Sequence, residues 1–303
     1  MINKANLKKR LLFAAVAVPV SLFIVSSQFD LAAFVFGLLG SNANNLLPIY
    51  PGQVLMLIIV ILGTYEYTKM LSIVNKTNAF WLGYLWILAT SIAYLVGYHI
   101  PATLSNTSLL MIVAFDAFFF GKEVPHGRWK RASLFFSGII FLSIASISMM
   151  SLYREPFQEL FNAPALLFFG KLEVVIVLTA IFMCDTAAYF VGSTIGRRKL
   201  SSISPNKTVE GSLGGLAASV LIISISWIFI RNPNYPIFVG VIIGLIAGIA
   251  AQAGDLLASL MKRYFRVKDA SDMIPGHGGV LDRFDSVFFA APALYLFAWL
   301  LTK

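Results

Sequence analysis

Four stretches of this sequence gather side chains that could do chemistry. In A-Q-A-G-D-L-L-A-S-L-M-K-R, Asp255, Ser259 and Arg263 recur every fourth residue and share one face of a helix, with Gln252 at its edge. An aspartate in an apolar helix is costly and normally faces a partner, a metal or a water-filled cavity. An Asp255–Arg263 stripe of purely structural role fits the spacing equally well. In C-D-T-A-A-Y-F-V-G, Asp185 precedes small residues suited to close helix packing, which by itself requires no charge. The loop S-P-N-K-T-V-E-G places Ser204, Lys207, Thr208 and Glu210 within seven residues at a helix start. Hydroxyls, a cation and backbone N–H groups there suit phosphate, although the Walker A pattern is absent and Thr208 or Ser212 could be a simple cap.

The fourth stretch is K-D-A-S-D-M-I-P-G-H-G-G-V-L-D-R-F-D-S, residues 268–286. Asp282 and Asp285 stand three apart at a helix start, where both can point one way and where the helix dipole favours carboxylates. Gly276, Gly278 and Gly279 permit tight turns and close backbone approach to a ligand. His277 alone reads as a loop histidine. Taken together, the carboxylates form a hard oxygen donor set of the kind that suits Mg²⁺, which also binds phosphates. Clustered Cys or His ligands for zinc are missing. Carboxylates and cations interleaved at a membrane surface suggest chemistry between a nucleotide and a lipid phosphate.

The elements that position these residues follow from composition. The chain has 303 residues, 58% apolar and 12% charged, with a formal net charge of +9. Soluble domains carry roughly twice that charged fraction. Apolar runs predict an all-α polytopic membrane protein. Clear spans are expected at Leu11–Ser27, Val54–Ile73, Phe80–His99, Leu104–Phe120, Ala132–Leu152, Leu172–Ile195, Gly211–Ile230, Ile237–Met261 and Phe284–Leu301. Basic clusters at Lys4–Arg10, Lys122–Arg131, Arg197–Lys207 and Lys262–Arg283 all fall in the cytoplasm if Phe29–Leu47 is an external or re-entrant excursion. About nine transmembrane helices then place the N-terminus inside. The same clusters are explained by membrane topology and call for no nucleic-acid partner. The lone Cys184 excludes an intramolecular disulfide. Residues 1–303 read as a single integral domain, with mainly structural helices over 1–152 and the catalytic helices and loops over 172–303.

The run Ser259–Asp285 meets every fixed position of a longer pattern: S-x-apolar-K-R, four free positions, K-D, then P-x-H-G-G-x-x-D-R-x-D. In this it resembles the phosphatidate cytidylyltransferases, also called CDP-diacylglycerol synthases. The C-D-T-A-A-Y-F-V-G and S-P-N-K-T-V-E-G blocks are similar to family blocks in the same order, so the motif-bearing resemblance covers Ile181–Ser286. The segment Phe29–Gln53 looks longer than is usual for the family. The resemblance implies a Mg²⁺-dependent reaction of CTP with phosphatidate at a bilayer surface, with one or two metal ions. It implies Asp255 and Asp282 as metal ligands, with Asp185 and Asp285 as further candidates, and Asp255, Asp282, Lys207 and His277 as catalytic groups. Ser204, Lys207, Thr208, Ser259, Lys262, Arg263, Lys268 and Arg283 are implied for the phosphates. A homodimer in a bacterial inner membrane, with its site on the cytoplasmic side, completes the expectation. The rivals are a CTP-dependent lipid kinase, an ether-lipid synthase, a cation-coupled transporter and a non-catalytic scaffold. The intact signature favours the diacyl substrate. Polar residues gathered on one side of the membrane disfavour a transporter, and charge inside the spans disfavours a scaffold.

Overall fold

A computed structural model describes residues 48–74, 81–95, 127–154, 157–161, 171–201, 207–274 and 278–303, together with residue 204 and scattered positions between 20 and 34. Seven α-helices fill these stretches: α1 Pro51–Val74, α2 Trp81–Leu95, α3 Gly127–Ser151, α4 Leu172–Ile195, α5 Val209–Ile230, α6 Phe238–Tyr264 and α7 Leu281–Leu301. No strand occurs among the described residues. Each helix coincides with an expected span. The expected spans Leu11–Ser27 and Leu104–Phe120 and the Phe29–Leu47 excursion lie outside the described residues, apart from isolated positions.

Five of these helices, α1 and α4 to α7, are long and apolar enough to cross a membrane. Two more carry shorter apolar stretches, Tyr84–Tyr94 in α2 and Phe141–Ser151 in α3. The protein is therefore an all-helical membrane protein. Large side chains such as Tyr189, Leu213, Ile225, Phe229 and Phe238 stay exposed on the bundle, a liability in water and a normal surface against lipid tails.

Lipid tails are as apolar as leucine, so close packing rather than water exclusion must hold such helices together. Small residues provide it. A side chain on Gly215 would strike the carbonyl of Cys184, and one on Gly211 the carbonyl of Ala188, so α4 and α5 touch backbone to backbone. Gly244 leaves the same room for Val220 between α6 and α5, and Gly254 for Phe289 between α6 and α7. The small-residue face read around Ala187, Ala188 and Gly192 is thus a packing face. Helix α7 also packs against α1 and α3, joining the C-terminal helices to the earlier ones.

Connections at one end of the bundle bring the polar motifs together. Beyond α4 the chain folds back on itself: Leu200 N–H donates to the Lys207 carbonyl at 2.8 Å, and Val209 N–H to the Arg198 carbonyl at 2.9 Å. Lys207 is thereby delivered to the start of α5. At the end of α6, Arg266 adopts a left-handed conformation with φ of 58°. That reversal lets Val267 N–H close onto the Lys262 carbonyl at 2.9 Å and turns the chain towards α7.

Candidate active site

Asp185 lies ten residues before the end of α4, Asp255 nine before the end of α6, and Asp285 four after the first residue of α7. These positions bring three carboxylates from three helices into one region. Ser286 Oγ donates to Asp185 Oδ2 at 2.9 Å, and its backbone N–H donates to Asp285 Oδ1 at 2.7 Å. One serine therefore bridges the α4 and α7 carboxylates. The charge of Asp255 acts repulsively on both Asp185 and Asp285, and Asp185 acts on Asp285 as well. Asp285 is buried, with 7% of its surface exposed.

Concentrated negative charge of this kind requires compensation, and two lysines supply part of it. Lys207 pairs with Asp255 Oδ2 and acts attractively on Asp185. Lys262, on α6, pairs with Asp282 Oδ1 at 2.7 Å and acts attractively on Asp285. Asp255 thus finds its cation across the bundle in the α4–α5 loop rather than at Arg263 on its own helix. Arg263, Lys268 and Arg283 are exposed, and Ser259 is half-buried on α6 between Asp255 and Lys262.

Thr208 caps α5 by accepting Gly211 N–H at 3.1 Å, so its hydroxyl has the structural duty expected of a cap. Ser212 instead hydrogen-bonds Gln252, whose amide also donates to the Ser212 carbonyl at 2.9 Å. Glu210 accepts the backbone N–H groups of Arg197 and Arg198, closing the fold-back. The Ser204 carbonyl accepts Lys207 N–H at 3.0 Å, which shapes the turn before the lysine.

Asp282 and Asp285, expected to point one way, have different partners. Asp282 turns back on its own loop: Oδ2 accepts Ala270 N–H at 2.8 Å and Gly279 N–H at 2.9 Å, while Oδ1 takes Lys262. Asp285 meets Ser286 on the Asp185 side. The turn that presents them closes with Ile274 N–H on the Gly278 carbonyl, and Gly278 has φ of 83°, a conformation that glycine adopts without strain. His277 lies outside the described residues.

Glu66 was missed by the sequence reading. It lies on α1, is fully buried, and accepts Val280 N–H at 2.9 Å and Leu281 N–H at 2.6 Å along with the Ser271 hydroxyl. An ionisable residue inside an apolar run was the available signal.

The donor set here is oxygen throughout, the chemistry of a hard divalent cation. No three Asp, Glu, His or Cys side chains among the described residues are gathered closely enough to enclose an ion. Mg²⁺ does not need such a cage, because it keeps waters and binds one or two carboxylates together with substrate phosphates. Asp185, Asp255 and Asp285 fit that role. Asp282 fits it less well, with both oxygens already engaged.

The sequence profile of the cytidylyltransferase family matches residues 31–301. The chain belongs to the cytidylyltransferase family. Among curated members, the phosphatidate cytidylyltransferase of Synechocystis is 45% identical over 132 residues, 44% of this chain and 45% of the relative. That of Bacillus subtilis is 37% identical over 161 residues, 53% of this chain and 58% of the relative. That of Brucella suis is 33% identical over 240 residues, 77% of this chain and 78% of the relative. The chain thus spans about half the length of the first two and more than three-quarters of the third. Asp185, Asp255, Asp282, Asp285 and Lys262 fall on the C-terminal helices α4, α6 and α7, and Lys207 in the α4–α5 loop, where the motif blocks are, whereas Glu66 comes from α1.

Proposed function

We propose that the protein transfers the cytidylyl group of CTP to phosphatidate, forming CDP-diacylglycerol and pyrophosphate. The observation that carries this reading is the convergence of Asp185, Asp255 and Asp285, flanked by Lys207 and Lys262, at one end of an apolar helix bundle. A water-borne nucleotide and a membrane-borne phosphate have to meet at such a boundary. The family membership and the names of its bacterial relatives support the same reaction.

An oxygen of the phosphatidate phosphate attacks the α-phosphorus of CTP. The bond from that phosphorus to the oxygen bridging to the β-phosphorus breaks, and pyrophosphate leaves with the electron pair. A phosphomonoester is already largely ionised near neutral pH, so a strong general base is unnecessary. Both reactants are anions, and stabilisation of phosphate charge must dominate the rate. Lys207 and Lys262, each held by an aspartate, exchange that partner for phosphate oxygens on substrate binding. We assign Ser204, Thr208, Ser259, Arg263, Lys268, Arg283 and His277 as further phosphate contacts. Asp255, Asp185 and Asp285, with Asp282 as a fourth, are the residues we assign to hold Mg²⁺. When bound there, the cation neutralises phosphate charge and orients the triphosphate, as one ion or as a pair.

In the same reading the chain crosses a bacterial inner membrane nine times, with the N-terminus and the site on the cytoplasmic side, and works as a homodimer. The reaction is tested by incubating purified protein with CTP, phosphatidate and Mg²⁺. CDP-diacylglycerol and pyrophosphate should appear in equal amounts, and a chelator should stop both. If neither product forms in an otherwise folded preparation, the assignment fails.

A further inference from the structure

The buried carboxyl group of Glu66 comes from a helix that carries none of the sequence motifs, yet it reaches the most motif-dense segment of the chain. It is 0% exposed, and the three donors that face it all belong to the stretch from Ser271 to Leu281. Two of them are the N–H groups at the start of α7, orphaned by helix geometry and in need of an acceptor. No side chain of the segment itself caps α7. Asp282 grips the same loop from the other side through Ala270 and Gly279 and ties it to Lys262. The start of α7 is therefore fixed between α1 and α6, and its first two turns carry Asp282, Asp285 and Ser286.

Gly279 is part of the same device. A side-chain carbon there would fall 2.6 to 2.8 Å from the carboxyl atoms of Glu66, too close for any contact. The second glycine of the H-G-G run thus leaves space for a carboxylate that is more than 200 residues earlier in the chain.

We propose that Glu66 is a positioning residue for the cytidylyl-transfer site, holding Ser271 and the Gly279–Leu281 turn at the start of α7 so that the α7 carboxylates face α4 and α6, and that Gly279 is glycine to admit it. The proposal rests on the reaction assigned above. Glu66 reaches no substrate in this arrangement and acts through the backbone it anchors.

The test uses full-length protein in detergent with Glu66→Gln, Glu66→Ala, Gly279→Ala, the double variant Glu66→Ala/Gly279→Ala and the milder Ser271→Ala. Glutamine keeps one acceptor oxygen but turns an amide donor towards one of the N–H groups. Exchange of the Val280 and Leu281 amides should accelerate by about ten- to 100-fold in Glu66→Gln, the range for losing charge-assisted hydrogen bonds. The turnover number should drop on the order of 100-fold, as for displacement of catalytic groups by about 1 Å. KM for CTP should change by less than about threefold, because no binding contact is removed. Ser271→Ala, which leaves both N–H contacts in place, should show the same pattern at reduced size. The double variant should be no worse than Glu66→Ala alone, because Gly279→Ala has nothing to strike once the carboxylate is gone. Unchanged exchange, unchanged turnover, or a double variant with the full added loss of Gly279→Ala each overturns the proposal. Amide exchange reads the clamp without turnover, so an inactive wild type refutes the assigned reaction while exchange still decides whether the clamp exists.

Discussion

Gly254 immediately precedes Asp255 and is the contact point between α6 and α7. A methyl group at this position would lie 2.8 Å from the Phe289 Cβ and 2.8 Å from the carbonyl oxygen of Asp285. Comfortable carbon–carbon contact begins at about 3.5 Å, so Gly254→Ala requires the two helices to part by about 0.7 Å. Neither obstacle is the flexible end of a side chain that could swing away. Overpacking of this kind costs about 1–3 kcal/mol. The displacement opens the gap between Asp255 and Asp285 directly, and misplacement on that scale reduces turnover by about 10- to 100-fold. Activity and thermal unfolding of the detergent-solubilised variant measure the two effects separately. Gly244→Ala, at the contact of α6 with Val220 but away from the carboxylates, serves as the comparison. It should lower the unfolding temperature with a smaller loss of turnover. Equal turnover losses in both variants, or full turnover in Gly254→Ala, would refute the claim that α6–α7 spacing sets the carboxylate geometry.

Other perturbations separate the roles of individual groups. Asp285→Asn keeps the volume and an acceptor for Ser286 N–H but replaces a buried carboxyl group that sits beside Asp255 and Asp185; turnover should vanish while the unfolding temperature stays the same or rises. Asp282→Asn keeps an oxygen for at most part of its three donors, so it should lose turnover together with protection of the Ala270 and Gly279 amides, measured by hydrogen exchange. Thr208→Ala removes the α5 cap and should cost about 1 kcal/mol of stability in denaturant titration.

The helices were legible in the sequence because a lipid environment demands long apolar runs, and α4 was read from Leu172 to Ile195 without error. Asp185, Asp255 and Lys207 were also legible, since charges inside or beside such runs carry a desolvation cost that packing alone does not explain. Their pairings were not. Lys207 meets Asp255 across 48 residues, and spacing along one helix suggested Arg263 instead. The different duties of Asp282 and Asp285 were hidden for a similar reason. Residues three apart near a helix start share a face, but the loop that folds back to offer the Ala270 and Gly279 amides to Asp282 leaves no periodic trace. Glu66 was hardest to see, as its partners lie more than 200 residues away and its own neighbourhood, T-Y-E-Y-T-K, resembles the polar end of an ordinary span.

The central claim is that the site splits CTP at its α-phosphorus and delivers the nucleotide to a lipid phosphate. The most direct measurement supplies phosphatidate with CTP labelled at either the α- or the γ-phosphate and follows the label into the lipid phase. The account predicts that α-label enters the lipid and that γ-label leaves in pyrophosphate, with both transfers lost in Asp285→Asn. Label entering the lipid from the γ-position, with CDP released, would contradict it and identify a kinase instead.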